Sequence, residues 1–263
     1  QAFYHAKTLF LFTSTDMGSL VFPVAIVAGL STQHIRPEKI IPAMIWLWLH
    51  LLQFCISNQS LNLVEDAENK PWRPLPSGRI QFKVARTLRW ILLPLCLLLS
   101  WSEGIILQGV SLAAAFILHN ELQLGELHWA LRGCTNAWGY TSFNAGVIRI
   151  LSPGVFAHAI RPVSFVFNFL IIVSTTHVQD FRDVVGDSIL RRHTLPLAWP
   201  QASRIYLPLV IIAWSIGISA HCTLGALGGL SFCALAVFVG MRFYLLREIE
   251  EDRLSYLYYN VSL

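Results

Sequence analysis

Residues 40–79 read IIPAMIWLWLHLLQFCISNQSLNLVEDAENKPWRPLPSGR. The first part, Ile40–Ser60, contains no Asp, Glu, Lys or Arg. At about 1.5 Å per residue, such a helix is long enough to cross a hydrocarbon core of roughly 30 Å. Inside that core a helix satisfies its own backbone polar groups. At its end Asn58, Asn62 and Asp66 recur at i, i+4 and i+8, a spacing that stacks them on one helical face. Pro71, Pro74, Pro76 and Gly78 then break the helix into a loop carrying Lys70, Arg73 and Arg79. One stretch thus supplies a membrane span, a ladder of oxygen donors and a basic loop.

Working outward, the same grammar repeats. The chain is 55% hydrophobic and 13% charged, where a soluble domain carries about 25% charged residues. The apolar residues fall into eight runs: Thr8–Leu30, Ile40–Ser60, Val84–Trp101, Gly104–Leu122, Thr135–Leu151, Arg161–Asp180, Ala202–Ala220 and Cys222–Leu246. A ninth begins near Leu254. The expected fold is an all-α, polytopic transmembrane bundle of eight spans plus a partial ninth, forming a single domain over 1–263. The first residue is Gln1, so the ends read as trimmed. Cys55, Cys96, Cys134, Cys222 and Cys233 make no metal-binding spacing, and four of them lie in apolar runs as small hydrophobes.

The basic residues orient the bundle. With the N-terminus on one side, the 19 Lys and Arg divide unevenly. Only Arg36, Lys39, Arg149 and Arg161 fall on the far side, and the remainder mark the near side as cytoplasmic. Net charge is +4, a bias that topology accounts for, and no nucleic-acid partner is expected. Two acidic clusters stand among the near-side cations. One holds Glu65, Asp66 and Glu68. The other reads Asp180-Phe-Arg-Asp183-Val-Val-Gly186-Asp187, with Arg191 and Arg192 following. Its three aspartates recur at i, i+3 and i+7, again one helical face. Four spans separate the clusters, so both return to the same side. This repeat predicts two four-helix halves around a central pocket.

A lone acidic pair at a helix end reads as an interfacial salt bridge. Two ladders on one side, each followed by cations, read as ligands. Carboxylate and amide oxygens without His or Cys suit a hard cation such as Mg2+, which is commonly shared with substrate phosphates. Lys and Arg beside them suit phosphate oxygens.

These residues resemble the UbiA superfamily of membrane prenyltransferases and related terpene cyclases. The resemblance lies in Asn58-Gln59-x-x-Asn62-x3-Asp66, Asn69-Lys70-Pro71-Trp72-Arg73-Pro74 with Ser77-Gly78, and Asp180-x-x-Asp183-x-x-Gly186-Asp187. It implies a bundle open laterally to lipid, with a cytoplasmic polar cap from residues 62–83, 121–134 and 180–200. It further implies Mg2+ held by Asn62, Asp66, Asp180, Asp183 and Asp187, with Asp66, Asp183 and Asp187 catalytic. Asn58, Lys70, Arg73, Arg79, Arg191, Arg192, Asn136, Tyr140 and Asn144 are expected to bind an isoprenyl diphosphate, farnesyl or geranylgeranyl. Asn62 stands where the family motif has an acid. A neutral amide is the weaker ligand, so the first site should hold its ion less tightly than the second.

Ionising an allylic diphosphate leaves a carbocation that needs a dry cavity and aromatic faces. Trp138, Tyr140, Phe143, Phe165, Phe167 and Phe169 are candidates, though helix packing explains each one singly. The cation can be attacked by its own double bonds, as in a terpene cyclase, or can alkylate an aromatic acceptor, as in a prenyltransferase. The compact loop with Glu65-Asp66 and Asn69-Lys70-Pro71-Trp72-Arg73-Pro74 resembles that of the family's fungal terpene cyclases, and this resemblance favours the cyclase. Glu126, His128 and Arg132 could serve an acceptor. A repeat-built transporter would need ionisable residues near mid-bilayer, and His50, His119 and His177 are the main ones. An internal membrane such as the endoplasmic reticulum is the expected location.

Overall fold

The computed structural model describes residues 1–32, 34–152, 162–221 and 225–262. Arg161 and Cys222, which open two of the predicted spans, lie outside them. All regular structure among the described residues is helical. The first apolar run forms α1 (Ala2–Thr13) and α2 (Phe22–Ser31), joined by a 3-10 turn, Ser14–Asp16, and a π turn, Met17–Val21. Thr13 and Ser14 donate back to the carbonyls of Phe10 (3.1 Å) and Leu11 (3.2 Å). Such back-bonding bends helices, and here it comes just before the helix changes its winding.

The second run is α3 (Ile40–Leu61), followed by the short α4 (Leu63–Asn69). Then come α5 (Phe82–Ser102) and α6 (Ile106–Phe116), which ends in a π turn, Ile117–Glu121. The short α7 (Leu124–Leu127) precedes α8 (Trp129–Leu151). Beyond these lie α9 (Pro162–Thr175), α10 (Asp180–Ile189), α11 (Leu195–Ala198), α12 (Pro200–His221), α13 (Ala226–Leu245) and α14 (Ile249–Ser262).

Most predicted spans agree with helices to within a few residues. The fifth differs, since α8 starts at Trp129 rather than Thr135. His128 Nδ1 accepts from the Ala130 N–H at 3.2 Å and caps the helix there. The predicted sixth span ends earlier as an α-helix, at Thr175, and the 3-10 turn Thr176–Gln179 links it to α10.

Among the described residues, four helical stretches are long and apolar enough to cross a membrane: Ala2–Gly29, Pro37–Leu61, Pro200–His221 and Ala226–Leu245. The others differ for visible reasons. Lys83, Arg86 and Arg89 occupy α5, Arg132, Asn136, Asn144 and Arg149 occupy α8, and α6 and α9 are short. Large apolar side chains nevertheless face outward, with Leu107 and Ile41 at least 70% exposed. That is lipid-facing chemistry.

The core forms two clusters. The larger runs from Phe12 to Leu151, and the smaller from Val178 to Tyr256. Helix α8 therefore packs largely with the N-terminal helices. A Cβ at Gly146 would collide with the Trp46 ring, so glycine is what lets α8 lie against α3. Similarly, a Cβ at Gly240 would stand 2.9 Å from Pro208 Cα, which seats α13 on α12. Cys55 and Cys96 are buried, Cys233 is half-buried and Cys134 is exposed.

The two ends of the bundle differ. At one end Lys39 pairs with Glu103 (2.8 Å), the Arg36 N–H donates to Leu151 O (3.1 Å), and Ser152 Oγ donates to His34 O (2.7 Å). The opposite end gathers both acidic clusters.

Candidate active site

Both ladders form, each with local help. Helix α3 ends at Asn62, whose φ of −116° and ψ of 36° leave the helical region. Even so, the N–H groups of Asn62, Asp66 and Lys70 donate to the carbonyls of Asn58, Asn62 and Asp66 at 2.9–3.1 Å. The ladder's spacing thus survives the kink between α3 and α4. The loop after it is wound by turns. Arg79 N–H donates to Pro74 O (2.9 Å), Ser77 Oγ to Arg73 O (2.7 Å), and Gly78 takes φ +68°, which glycine adopts without strain.

Helix α10 carries the second ladder. A Cβ on Gly186 would run into the Asn69 amide, so glycine lets the end of α4 press against α10. Cations complete the junction. Arg192 pairs with Asp187 on its own motif (2.9 Å) and with Glu65 on the other (2.5 Å). It donates to Asn62 Oδ1 (2.8 Å) and also pairs with Glu126. Lys70 reaches Asp183 at 3.5 Å. Arg73 holds Asp66 at 2.6 Å, and Arg132 lies 3.4 Å from Asp180.

Burial and neighbouring charges compete in the site. Burial pushes Asp66 and Asp187 above the usual carboxylate range, against the pull of Arg73 on the first and Arg132 on the second. Burial also acts on Asp183, but there Lys70, with Arg182 and Arg132, outweighs it and holds the carboxyl low. Arg192 is raised, because Glu65, Glu126 and Asp187 together overcome its burial.

Two cavities meet at this end of the bundle. A polar pocket of about 120 Å3 is lined by residues of both motifs, among them Asn62, Glu65, Lys70, Arg73, Asp183 and Arg192. An apolar cavity of about 560 Å3 lies beyond it, lined by α2, α8, α9, α12 and α14. Ser19, Tyr140 and Gln179 line both. The Tyr140 hydroxyl donates to Ser19 O at 3.0 Å, which ties α8 to the π turn at this neck.

Most predicted residues are brought together. Asn58 and Asn136 line the polar pocket, and Asn144 lines the apolar cavity. Asp66, Asp180 and Asp187 are buried beside the pocket lining. Arg79 and Arg191 are not brought to either cavity. The Arg79 guanidinium stacks 4.4 Å over the Tyr4 ring, and Arg191 is exposed, turned out by its left-handed φ of 54°. Of the aromatic candidates, Tyr140 and Phe143 line the polar pocket, and Phe167 joins Tyr140 in the apolar cavity. Trp138 is instead tied to Ser111 (2.8 Å), outside both.

Sequence reading missed Asp16, Arg182, Tyr256 and Tyr259. Asp16 had a signal, as the only charged residue in Thr8–Leu30. The Arg182 guanidinium lies 3.9 Å over the Tyr256 ring. It thereby links the polar pocket, which it lines, to the apolar cavity, which Tyr256 lines.

The oxygen donors suit a hard cation. Asp66 Oδ2, Asp180 Oδ1 and Asp187 Oδ2 are buried without a hydrogen-bond partner. Among the described residues, no three His, Cys, Asp or Glu converge closely enough to hold an ion by themselves.

The profile of the UbiA prenyltransferase family matches residues 20–262. The fumagillin beta-trans-bergamotene synthase af520 of Aspergillus fumigatus is 30% identical over 96% of this chain and 88% of its own length. The diterpene cyclase eriG of Hericium erinaceus is 27% identical over 83% of this chain and 75% of its own. A solved structure of digeranylgeranylglyceryl phosphate synthase in membranes superposes with a TM-score of 0.61 at 18% identity, covering 98% of this chain and 95% of that one. At that identity the likeness speaks for a shared fold.

Proposed function

Because the chain belongs to the UbiA prenyltransferase family, whose members are enzymes using isoprenyl diphosphates, we propose that it is an integral membrane terpene cyclase. Its substrate is farnesyl or geranylgeranyl diphosphate. The observation that carries this reading is the meeting of the two cavities. A charged head in the polar pocket would extend a hydrocarbon chain past Ser19, Tyr140 and Gln179 into the apolar cavity. That cavity lies within the range of about 300–1,000 Å3 common for small-molecule sites. The bergamotene synthase and the diterpene cyclase match most of this chain, which favours a cyclase.

The chain's own groups divide the work. Lys70, Arg73 and Arg192 line the pocket and exchange carboxylate partners for phosphate oxygens when substrate enters. Asn62 and Asp66 on one side, and Asp180, Asp183 and Asp187 on the other, would hold Mg2+, which when bound neutralises charge on the diphosphate leaving group. The buried oxygens of Asp66, Asp180 and Asp187 that accept no hydrogen bond support that assignment. That no carboxylate cluster among the described residues suffices by itself fits sites completed by phosphate oxygens. Tyr140 and Phe143 offer ring faces to the cation, and the apolar walls beyond keep water away. Eight spans with a partial ninth form one domain, capped at the cytoplasmic end by residues 62–83, 121–134 and 180–200. An internal membrane such as the endoplasmic reticulum is its place.

Transfer to an aromatic acceptor is the second reading, since the family the chain belongs to is one of prenyltransferases. One assay separates them: purified protein, Mg2+ and either diphosphate, with no acceptor. A cyclic hydrocarbon supports the cyclase, and product only after a phenol is added supports the transferase. Absence of turnover with any isoprenyl diphosphate counts against both.

A further inference from the structure

The polar pocket holds one carboxylate that neither motif contains. Asp16 lines it from the turn between α1 and α2. Asp66, Asp180, Asp183 and Asp187 are each ion-paired with Lys or Arg. Asp16 has no such partner within 4.0 Å among the described residues. Instead its Oδ2 accepts from Thr15 Oγ1 at 3.0 Å and from Cys55 Sγ at 3.5 Å. Both contacts orient the carboxylate, and Oδ1 has no hydrogen-bond partner among the described residues. Arg73 donates to Asp66 through one nitrogen and to Thr15 through another (3.1 Å). That guanidinium makes its ion pair with Asp66 and reaches the neighbourhood of Asp16 only through Thr15. Asp16 is also three residues before Ser19, on the same rewound segment that forms the neck.

We propose that Asp16 is the proton acceptor that ends the cyclisation, an inference resting on the cyclase reading above. Ionisation leaves diphosphate in the polar pocket and the cation at and beyond the neck. The reaction closes when a C–H bond next to the cationic carbon breaks. Its electron pair becomes the new π bond, and the proton passes to Asp16 Oδ1 and then to the departing diphosphate. A carboxylate that lines this pocket without a Lys or Arg nitrogen within 4.0 Å, among the described residues, is placed to take that proton.

The test uses the full chain with Mg2+ and the diphosphate it turns over, measuring diphosphate release and hydrocarbon composition separately. Asp16→Asn is expected to release diphosphate within about 3-fold of the unaltered protein. The share of its main hydrocarbon should fall at least about 10-fold, a floor set below the roughly 100- to 10,000-fold that general bases contribute. Acyclic alkenes or water-captured alcohols take its place, and Asp16→Glu restores the main product. An unchanged product composition in Asp16→Asn overturns the proposal. So does loss of diphosphate release as complete as in Asp66→Ala, since Asp16 would then belong to the ionisation step. Should Asp16→Asn not fold, Asp16→Glu decides alone, and loss of the main hydrocarbon in that folded variant overturns the proposal. An unaltered protein that makes no hydrocarbon overturns the cyclase reading itself, and this inference with it.

Discussion

Arg192 joins the two motifs, and replacing it with methionine tests that junction. The side chain is 4% exposed, and its partners Asp187 and Glu65 are 0% and 8% exposed. Methionine keeps most of the packing volume but leaves both carboxylates without their cation. Breaking a buried ion pair costs about 3–5 kcal/mol. Glu126 is 26% exposed, so solvent screens it and its loss adds under about 1 kcal/mol. Burial already raises Asp187, so it can take up a proton in the variant and relieve part of the cost. The expected loss is therefore near the low end, about 3 kcal/mol. At roughly 2–4 °C per kcal/mol for chains of similar size, the thermal midpoint falls by roughly 6–12 °C. A thiol-reactive dye on detergent-solubilised protein reads this directly, because Cys55 and Cys96 are buried and become reactive on unfolding. Adding Glu65→Gln to the variant should recover at least about 1 kcal/mol, since it removes one stranded charge. A midpoint shift below about 2 °C, or no recovery in the double variant, would refute the bridging role.

Single replacements Asp66→Ala, Asp183→Ala and Asp187→Ala should each abolish diphosphate release, and near-normal release by any of them removes it from the ligand set. Gly186→Ala places a Cβ against the Asn69 amide and should cost about 1–3 kcal/mol in thermal or denaturant unfolding; Asn69→Ala in the same chain should restore most of it, and failure to do so places the strain elsewhere. Asp183 has a depressed pKa in the fold, so it stabilises the magnesium-free protein above its unfolded value of about 3.9. That contribution should be lost as pH falls through the folded value, and unfolding midpoints of Asp183→Asn should therefore show a weaker acid limb than those of the unaltered chain. With Asn62 in place of a carboxylate, activity should saturate with Mg2+ in two steps. Asn62→Asp should shift the weaker step to lower concentration, and an unchanged titration would take Asn62 out of the site.

Much of this architecture is legible in the residues because it is local. Ile40–Ser60 has to be a helix in hydrocarbon, whatever surrounds it. The i, i+4 spacing of Asn58, Asn62 and Asp66 survives a break at Asn62, because the backbone bonds of each rung persist across it. The parity of spans puts both ladders at one end, and the structure brings them into contact there. Helix α8 was harder to bound, since Arg132, Asn136 and Asn144 face a pocket rather than lipid and dilute its apolar signal.

The contacts between distant segments needed the folded chain. In sequence, Arg191 and Arg192 are equivalent cations, but the left-handed turn at Arg191 sends one to solvent and the other into the site. Arg79 belongs to the same basic loop as Arg73, but Tyr4 captures it at the N-terminal helix. Asp16 is a lone charge in an apolar run until the turns after Thr13 aim it into the pocket. The sequence by itself determined the helices and the chemical character of the two ladders, because periodicity and hydrophobicity act over a few neighbouring residues. Which cation meets which carboxylate, and where the polar pocket opens into the apolar cavity, was decided by tertiary packing. Those distances depend on how helices far apart in the chain are seated on one another.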